Sequence, residues 1–314
     1  MEAPVENDRK SLRTRFGTIA LRSPLVAASG CFGYGAEFDS YLDWSSVGAI
    51  IAKGISLEPR VGNPPPRIVE TPAGMLNSIG LANVGSTAFL EEKLPFLRET
   101  GASIWVNFFG ETFAEYVECA RKLSRGDGVA ALEMNVSCPN VKSGGMEFGA
   151  CPETLHKLTR ECVEVSDCPI IVKMTPNVTD ITAVAQAAAE GGALGVSAIN
   201  TILGMAIDLE KRRPVLATKH GGLSGPAIRP VGVSAVYRIR QALPDLPVCA
   251  SGGVWSGRDV VEYLLVGASC VQIGTLNFTE PGAMDRLRQE IAELLVRYEL
   301  GTVERSVGLA HDCR

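Results

Sequence analysis

The chain has no C-x-x-C pair, although it carries nine cysteines, at positions 31, 119, 138, 151, 162, 168, 249, 270 and 313. An odd count without paired spacing argues against a disulfide framework, and against a zinc or iron–sulfur centre built wholly from this chain. Most of these thiols are therefore expected to be small buried hydrophobes. No apolar stretch reaches membrane-spanning length. The opening "MEAPVENDRK" is acidic and polar, unlike a leader or an anchor, so a cytosolic protein is expected. There is no dense Lys/Arg block, and the formal net charge is −5. Neither nucleic acid nor a membrane is indicated as a partner. An early G-x-G-x-x-G is missing, as are low-complexity tracts and repeats beyond strand–helix alternation.

What is present is 314 residues, 46% hydrophobic and 21% charged, enough for an ample soluble core. Short β-branched runs alternate with amphipathic helical patterns. The runs are "LVAAS" (25–29), "VGAIIAK" (47–53), "SIWVN" (103–107), "ALEMNVSC" (131–138), "PIIVK" (169–173), "GVSAIN" (195–200), "PVCASG" (247–252) and "CVQIG" (270–274). Their near-continuous hydrophobicity is that of parallel strands covered on both faces. Helical patterns cover 111–125, 152–166 and 281–300, the last with Pro281 in the first turn. Eight strands with helices between them predict an α/β fold, a (β/α)8 TIM barrel. A doubly wound open sheet is the alternative, and the missing glycine fingerprint favours the closed barrel. Insertions at 56–85 and 203–229 follow strands and so belong on the top face, where long loops usually carry function. The segment "TRFGTIALRSP" (14–24) reads as a short N-terminal hairpin plugging the barrel bottom.

Nearly every strand ends on a residue able to bind something. Ser29 and Lys53 end the first two, Asn107 the third, and Asn135 and Cys138 lie on the fourth. Lys173 ends the fifth, Asn200 and Thr201 the sixth, Gly252–Gly253 the seventh and Gly274–Thr275 the eighth. In a barrel these ends converge on one pocket. A donor- and acceptor-rich ligand would supply the partners that buried polar groups need. The glycines after the last two strands suit a phosphate, held by backbone N–H groups and a helix N-terminus, and "GGLSG" (221–225) can contribute. Cys138, between Asn135 and Asn140 and followed by Pro139, can act as base or nucleophile if its surroundings favour the thiolate. His156, His220 and His311 are poorly placed to activate it. A flavin-free barrel lyase using Lys173 as a Schiff base is the competing chemistry.

The blocks "GMLNSIGLAN", "NVSCPNVKSGGMEFG", "IIVKMTPNVTDI", "INTILG" and "GGLSGPAIRP" closely resemble the class 1B dihydroorotate dehydrogenase catalytic subunit, in order from about residue 17 to about 300. The resemblance implies oxidation of (S)-dihydroorotate to orotate in pyrimidine (UMP) biosynthesis, with FMN at the top of the barrel. Cys138 matches the family's base, which would take a proton from C5 while hydride leaves C6 for the flavin N5. Asn77, Ser78, Ile79, Gly80 and Leu81 match the loop around the pyrimidine, with Lys53, Asn135, Asn200 and Thr201 completing the substrate site. FMN would be bound by Ser29, Lys53, Asn107, Asn135, Lys173 and Ile199, with its phosphate near Gly225, Gly252, Gly253, Gly274 and Thr275. No metal is implied in this chain.

The resemblance makes 1–314 one FMN-binding barrel domain, with 1–24 as its hairpin segment and 303–314 as a tail of open role. It also implies a partner subunit carrying FAD and a [2Fe–2S] cluster that reduces NAD, around a homodimer core in a heterotetramer. "VKSGGMEFG" after the cysteine points to this class rather than to class 1A, a fumarate-dependent homodimer, which stays the alternative. Ile79 stands where many members of the family have Met, a change that conserves volume.

Overall fold

A computed structural model describes residues 11–137 and 148–311. In chain order its strands begin with β1 (Thr14–Phe16), β2 (Ile19–Leu21), β3 (Leu25–Ala27) and β4 (Ala49–Ile55). Then come β5 (Ile68–Thr71), β6 (Gly74–Asn77), β7 (Ser103–Phe108), β8 (Val129–Asn135), β9 (Ile170–Lys173) and β10 (Gly195–Ala198). The last are β11 (Ile202–Met205), β12 (Ile207–Asp208), β13 (Arg213–Pro214), β14 (His220–Ser224), β15 (Val248–Ser251) and β16 (Cys270–Ile273).

Strands β3, β4, β7, β8, β9, β10, β15 and β16 form a closed barrel. Its pairings are parallel throughout. This is the (β/α)8 architecture, and each of the eight predicted runs supplies one barrel strand. Helices such as Phe113–Leu123, Pro152–Val165 and Arg229–Ala242 return the chain over the outside. They bury one apolar stripe each, for example Tyr116, Cys119, Ala120 and Leu123. Thr112 caps the first of them by accepting from the Glu115 amide.

Two local expectations need correction. The crossover from β3 to β4 contains only the 3₁₀ turns Ala36–Phe38 and Trp44–Ser46, not a full helix. Pro281 lies just outside its helix, which runs Ala283–Arg297 with Gly282 as N-cap.

The N-terminal hairpin β1–β2 plugs the barrel bottom, as its pattern predicted. Phe16 is fully buried and packs with Val26, Ala49, Ile51, Trp105, Ala131, Ile171, Cys249 and Cys270, one apolar layer inside the barrel. Its ring centroid lies 5.2 Å from that of Trp105. The tail packs too: the turn Val303–Ser306 buries Val303 and Ser306, and the Gly308 amide donates to Leu264 O.

The two insertions meet above the barrel. Strands β11, β14, β6 and β5 form one four-stranded antiparallel sheet, with β14 paired to β6 across the two insertions.

Candidate active site

Side chains alternate in and out along a strand, so one above the apolar layer the barrel interior is set by period two. Trp105 leads to Asn107, Ala131 to Glu133 and Asn135, Ile171 to Lys173, and Cys270 to Gln272 and Gly274. The first polar layer is almost wholly dry: Asn107 is 1% exposed, Glu133 0%, Lys173 5%, Ser197 0% and Gln272 1%. Buried polar groups at that depth need partners, and here they bond to one another.

Glu133 is the hub. Its Oε2 accepts from Asn107 Nδ2 at 2.7 Å. Its Oε1 accepts from Ser197 Oγ at 2.6 Å and from Gln272 Nε2 at 2.7 Å. Lys173 Nζ donates to Gln272 Oε1 and stands 3.9 Å from Glu133 Oε1. Glu133, Ser197 and Gln272 were not among the residues singled out from the sequence. Glu133 and Gln272 lie two positions before the strand-end residues Asn135 and Gly274, and Ser197 two before Ile199, and that spacing is the signal that reveals them.

Above this layer opens a cavity of about 960 Å³, at the upper end of the range for ligand pockets. Lys173 and Asn107 form part of its floor, with Ser29 and Cys31 beside them. Lys53 and Asn135 line it from β4 and β8, Asn200 and Thr201 from the turn after β10. The loop Asn77, Ser78, Ile79, Gly80 and Leu81 closes the side under the four-stranded sheet. That loop is pinned: Ser78 Oγ bonds Thr218 Oγ1 at 2.5 Å, Asn63 Nδ2 donates to Ser78 Oγ at 3.0 Å, and Asn77 Nδ2 donates to Gly222 O at 3.3 Å. Lys53 brings a positive charge to the cavity wall, and among the described residues its Nζ has no hydrogen-bond or ion-pair partner. Arg60 and Glu111 pair at 2.7 Å on the rim.

A smaller cavity of about 80 Å³ adjoins the first and shares Ser29, Cys31, Lys173, Asn200, Thr201 and Ser224 with it. It is lined by Ile199, Gly225, Gly252, Gly253, Gly274 and Thr275. Gly253 has φ +73°, and a Cβ there would lie 2.7 Å from the Arg229 amide nitrogen, so only glycine fits. At the N-terminus of the helix Gly257–Leu265 the backbone amides already have internal partners, Gly257 N donating to Glu290 Oε2 at 2.6 Å. Asp259 already accepts from the Trp255 and Ser256 amides at 2.9 and 2.8 Å. The glycine backbone is what faces the small cavity.

Burial pushes the Cys31 thiol up to about 11, with Lys173 opposing that shift, so Cys31 stays a thiol at neutral pH. Cys138, the sequence-derived base, lies outside the described residues. Ser137 just before it is described, and its Oγ accepts from Asn200 Nδ2 at 3.1 Å. All the other singled-out residues line one of the two joined cavities. Among the described residues no cluster of His, Cys, Asp or Glu could hold a metal ion, and no helix is long and apolar enough to cross a membrane.

This arrangement suits a long ligand with a flat polar body and an anionic end, and leaves room above it for a second anionic molecule. Comparison with known proteins matches the family profile "Dihydroorotate dehydrogenase" to residues 11–295. Relatives named "Dihydroorotate dehydrogenase B (NAD(+)), catalytic subunit" span nearly the whole chain. That of Citrifermentans bemidjiense is 48% identical over 300 residues, 96% of this chain and 98% of the relative. That of Geobacter sulfurreducens shows the same identity and coverage. That of Pelobacter propionicus is 49% identical over 290 residues, 92% of this chain and 95% of the relative.

Proposed function

Since the chain belongs to the dihydroorotate dehydrogenase family, we propose that it oxidises (S)-dihydroorotate to orotate in pyrimidine synthesis, as an FMN-dependent, NAD-linked catalytic subunit. The observation that carries the reading is the convergence of Lys53, Asn107, Asn135, Lys173 and Asn200, from five barrel strands or their ends, on one cavity. Residues 1–314 would act as one FMN-binding barrel domain.

The residues present fit FMN. Asn107 and Lys173 offer nearly dry polar groups to a flat heterocycle, with Ser29, Asn135 and Ile199 around it. Gly225, Gly252, Gly253, Gly274 and Thr275 offer a close backbone approach for a phosphate. When bound, FMN supplies the hydride acceptor that no amino-acid side chain provides.

The chain's own groups do the rest. Lys53 offers positive charge to the substrate carboxylate. Asn77, Asn135 and Asn200 each offer both a donor and an acceptor to the amide-like edges of the pyrimidine. Ser78, Ile79, Gly80, Leu81 and Thr201 wall the ring in. Cys138 takes the C5 proton, general-base work that a thiolate can do. Lys173 holds positive charge on the cavity floor, where negative charge grows as electrons arrive.

Electrons leave through a separate subunit. The names of the relatives, with "catalytic subunit" and "NAD(+)", support this, and FAD and a [2Fe–2S] cluster are assigned to that partner. A homodimer of this chain at the core of a heterotetramer completes the assembly, in the cytoplasm. The Schiff-base lyase is disfavoured, because a Schiff-base amine has to be free to attack and Lys173 Nζ is engaged by Gln272 and Glu133.

The test is an absorption spectrum of the purified chain, then anaerobic addition of dihydroorotate. A yellow protein that bleaches supports the proposal; a colourless one that FMN cannot reconstitute overturns it. Feeding fumarate and NAD⁺ separately then decides the class: robust fumarate turnover by the isolated chain would place it with class 1A.

A further inference from the structure

We propose that Glu133 is a positioning residue for the redox step: with Gln272 it fixes the Lys173 ammonium on the cavity floor, and its charge offsets that of the lysine. The inference rests on the proposed function in one respect only, that FMN occupies the large cavity.

The argument starts from what a buried carboxylate costs. Taking one out of water is strongly unfavourable unless donors and a counter-charge replace the solvent. Glu133 is fully buried, and three donors plus one cation surround it. All the bonds it makes are accepted, which is the pattern of an ionised carboxylate. The apolar layer beneath already packs the barrel interior, so barrel closure does not itself call for a carboxylate at this level; Glu133 instead satisfies Asn107, Ser197 and Gln272. The network's remaining consequence is on Lys173.

Gln272 is oriented by the same carboxylate. Its Nε2 donates to Glu133 Oε1 at 2.7 Å and contacts Ser197 Oγ at 3.1 Å, which turns its Oε1 toward Lys173. The ammonium is thus held by Gln272 Oε1 from one side and drawn by Glu133 Oε1 at 3.9 Å. It still lines both cavities. Ser197, Gln272 and Asn107 come from three different barrel strands, so the network also locks the floor against local shear.

Two opposite shifts follow. Glu133→Gln removes the offsetting negative charge, leaves the lysine's charge uncompensated, and favours the reduced, more negative flavin. Gln272→Met releases the ammonium toward Glu133, withdraws positive charge from the cavity, and favours the oxidised form. The expected size is a roughly tenfold change in the ratio of affinities for the two forms, read for a two-electron couple as about 30 mV.

The experiment is a reductive titration of the FMN-loaded full-length chain and its variants against reference dyes, without substrate. Support is a potential that rises in Glu133→Gln, falls in Gln272→Met and returns close to the starting value in Glu133→Asp, which keeps the charge. A purely structural role would weaken FMN retention in all three while leaving the potential in place, and that result overturns the inference. If Glu133→Gln does not fold, Gln272→Met decides alone: a lowered potential supports the assignment and an unchanged one overturns it. The two failures are distinguishable. A wild-type chain that takes up no FMN ends the proposed function and this inference together, whereas a flavinylated wild type with unresponsive variants ends the inference only.

Discussion

Asn200 Nδ2 donates to Ser137 Oγ at 3.1 Å and reaches Asn135 Oδ1 at 3.5 Å, so the end of β10 is tied to the segment that leads into Cys138. Its own Oδ1 accepts from the Thr201 amide at 2.9 Å. One side chain therefore couples two strand ends and the start of the upper sheet. Truncation in Asn200→Ala leaves partners on both sides unpaired, at about 1–3 kcal/mol. The expected outcome is a 10- to 100-fold loss in kcat/KM for dihydroorotate, with flavin content unchanged. Steady-state kinetics alongside the flavin-to-protein absorbance ratio check it. An unaltered kcat/KM would reduce Asn200 to a backbone cap.

Cys138→Ala should keep its flavin and nearly lose reduction by dihydroorotate. Cys138→Ser should keep a fraction that rises with pH, because a hydroxyl is a far weaker base and depends on deprotonation. Anaerobic stopped-flow at the flavin absorbance band reads both directly. Wild-type rates in the alanine variant would remove Cys138 from the base role.

The barrel was legible because each of its strands is a short, nearly continuous apolar run, "PIIVK" and "SIWVN" being the plainest, set between helical patterns and turn residues. The polar strand ends were legible for the same reason, since a lysine or asparagine stands out where an apolar run stops. Glu133, Ser197 and Gln272 were not, because they sit inside such runs and only the alternation of a closed barrel turns them inward. The sheet above the barrel was hidden too. Strands "GMLN" and "HGGLS" are glycine-rich and hold each other by pairing across 145 residues, from Asn77 to Gly222, which local propensity cannot see. The crossover between β3 and β4 failed differently: its 3₁₀ turns carry no helical periodicity to read.

Phe16→Ala should destabilise the chain without touching the chemistry. Phe16 is fully buried against Trp105 at the opposite end of the barrel from the cavities. A large-to-small change there leaves a cavity and costs about 3–5 kcal/mol. Urea unfolding followed by tryptophan fluorescence measures it, and the flavin spectrum of the folded fraction should be that of wild type. A loss below 1 kcal/mol would mean that the hairpin does not plug the barrel.

Alkaline pH should weaken the fold through its buried thiols. Burial pushes Cys119 and Cys162 up to about 12 and Cys168 up to about 11, from an ordinary value near 9. Above pH 9 the unfolded chain has released these protons and the folded chain still holds them. The unfolded state then binds fewer protons, so stability falls as pH rises; the contribution is intact below pH 9 and disappears toward pH 12. Each thiol adds a slope of about 1.4 kcal/mol per pH unit in that window. Tyr263, whose phenol burial also raises, joins in above pH 10. Unfolding free energies in reducing buffer at pH 8, 9 and 10 should therefore bend downward past pH 9. Cys119→Ala lowers stability at pH 8, because it empties a packed site where the thiol contacts Phe109 O at 3.7 Å. Between pH 9 and 10 the same variant should lose stability more slowly than wild type by up to one thiol's slope. Parallel curves for the two proteins would show that Cys119 ionises as readily folded as unfolded, against the burial that surrounds it.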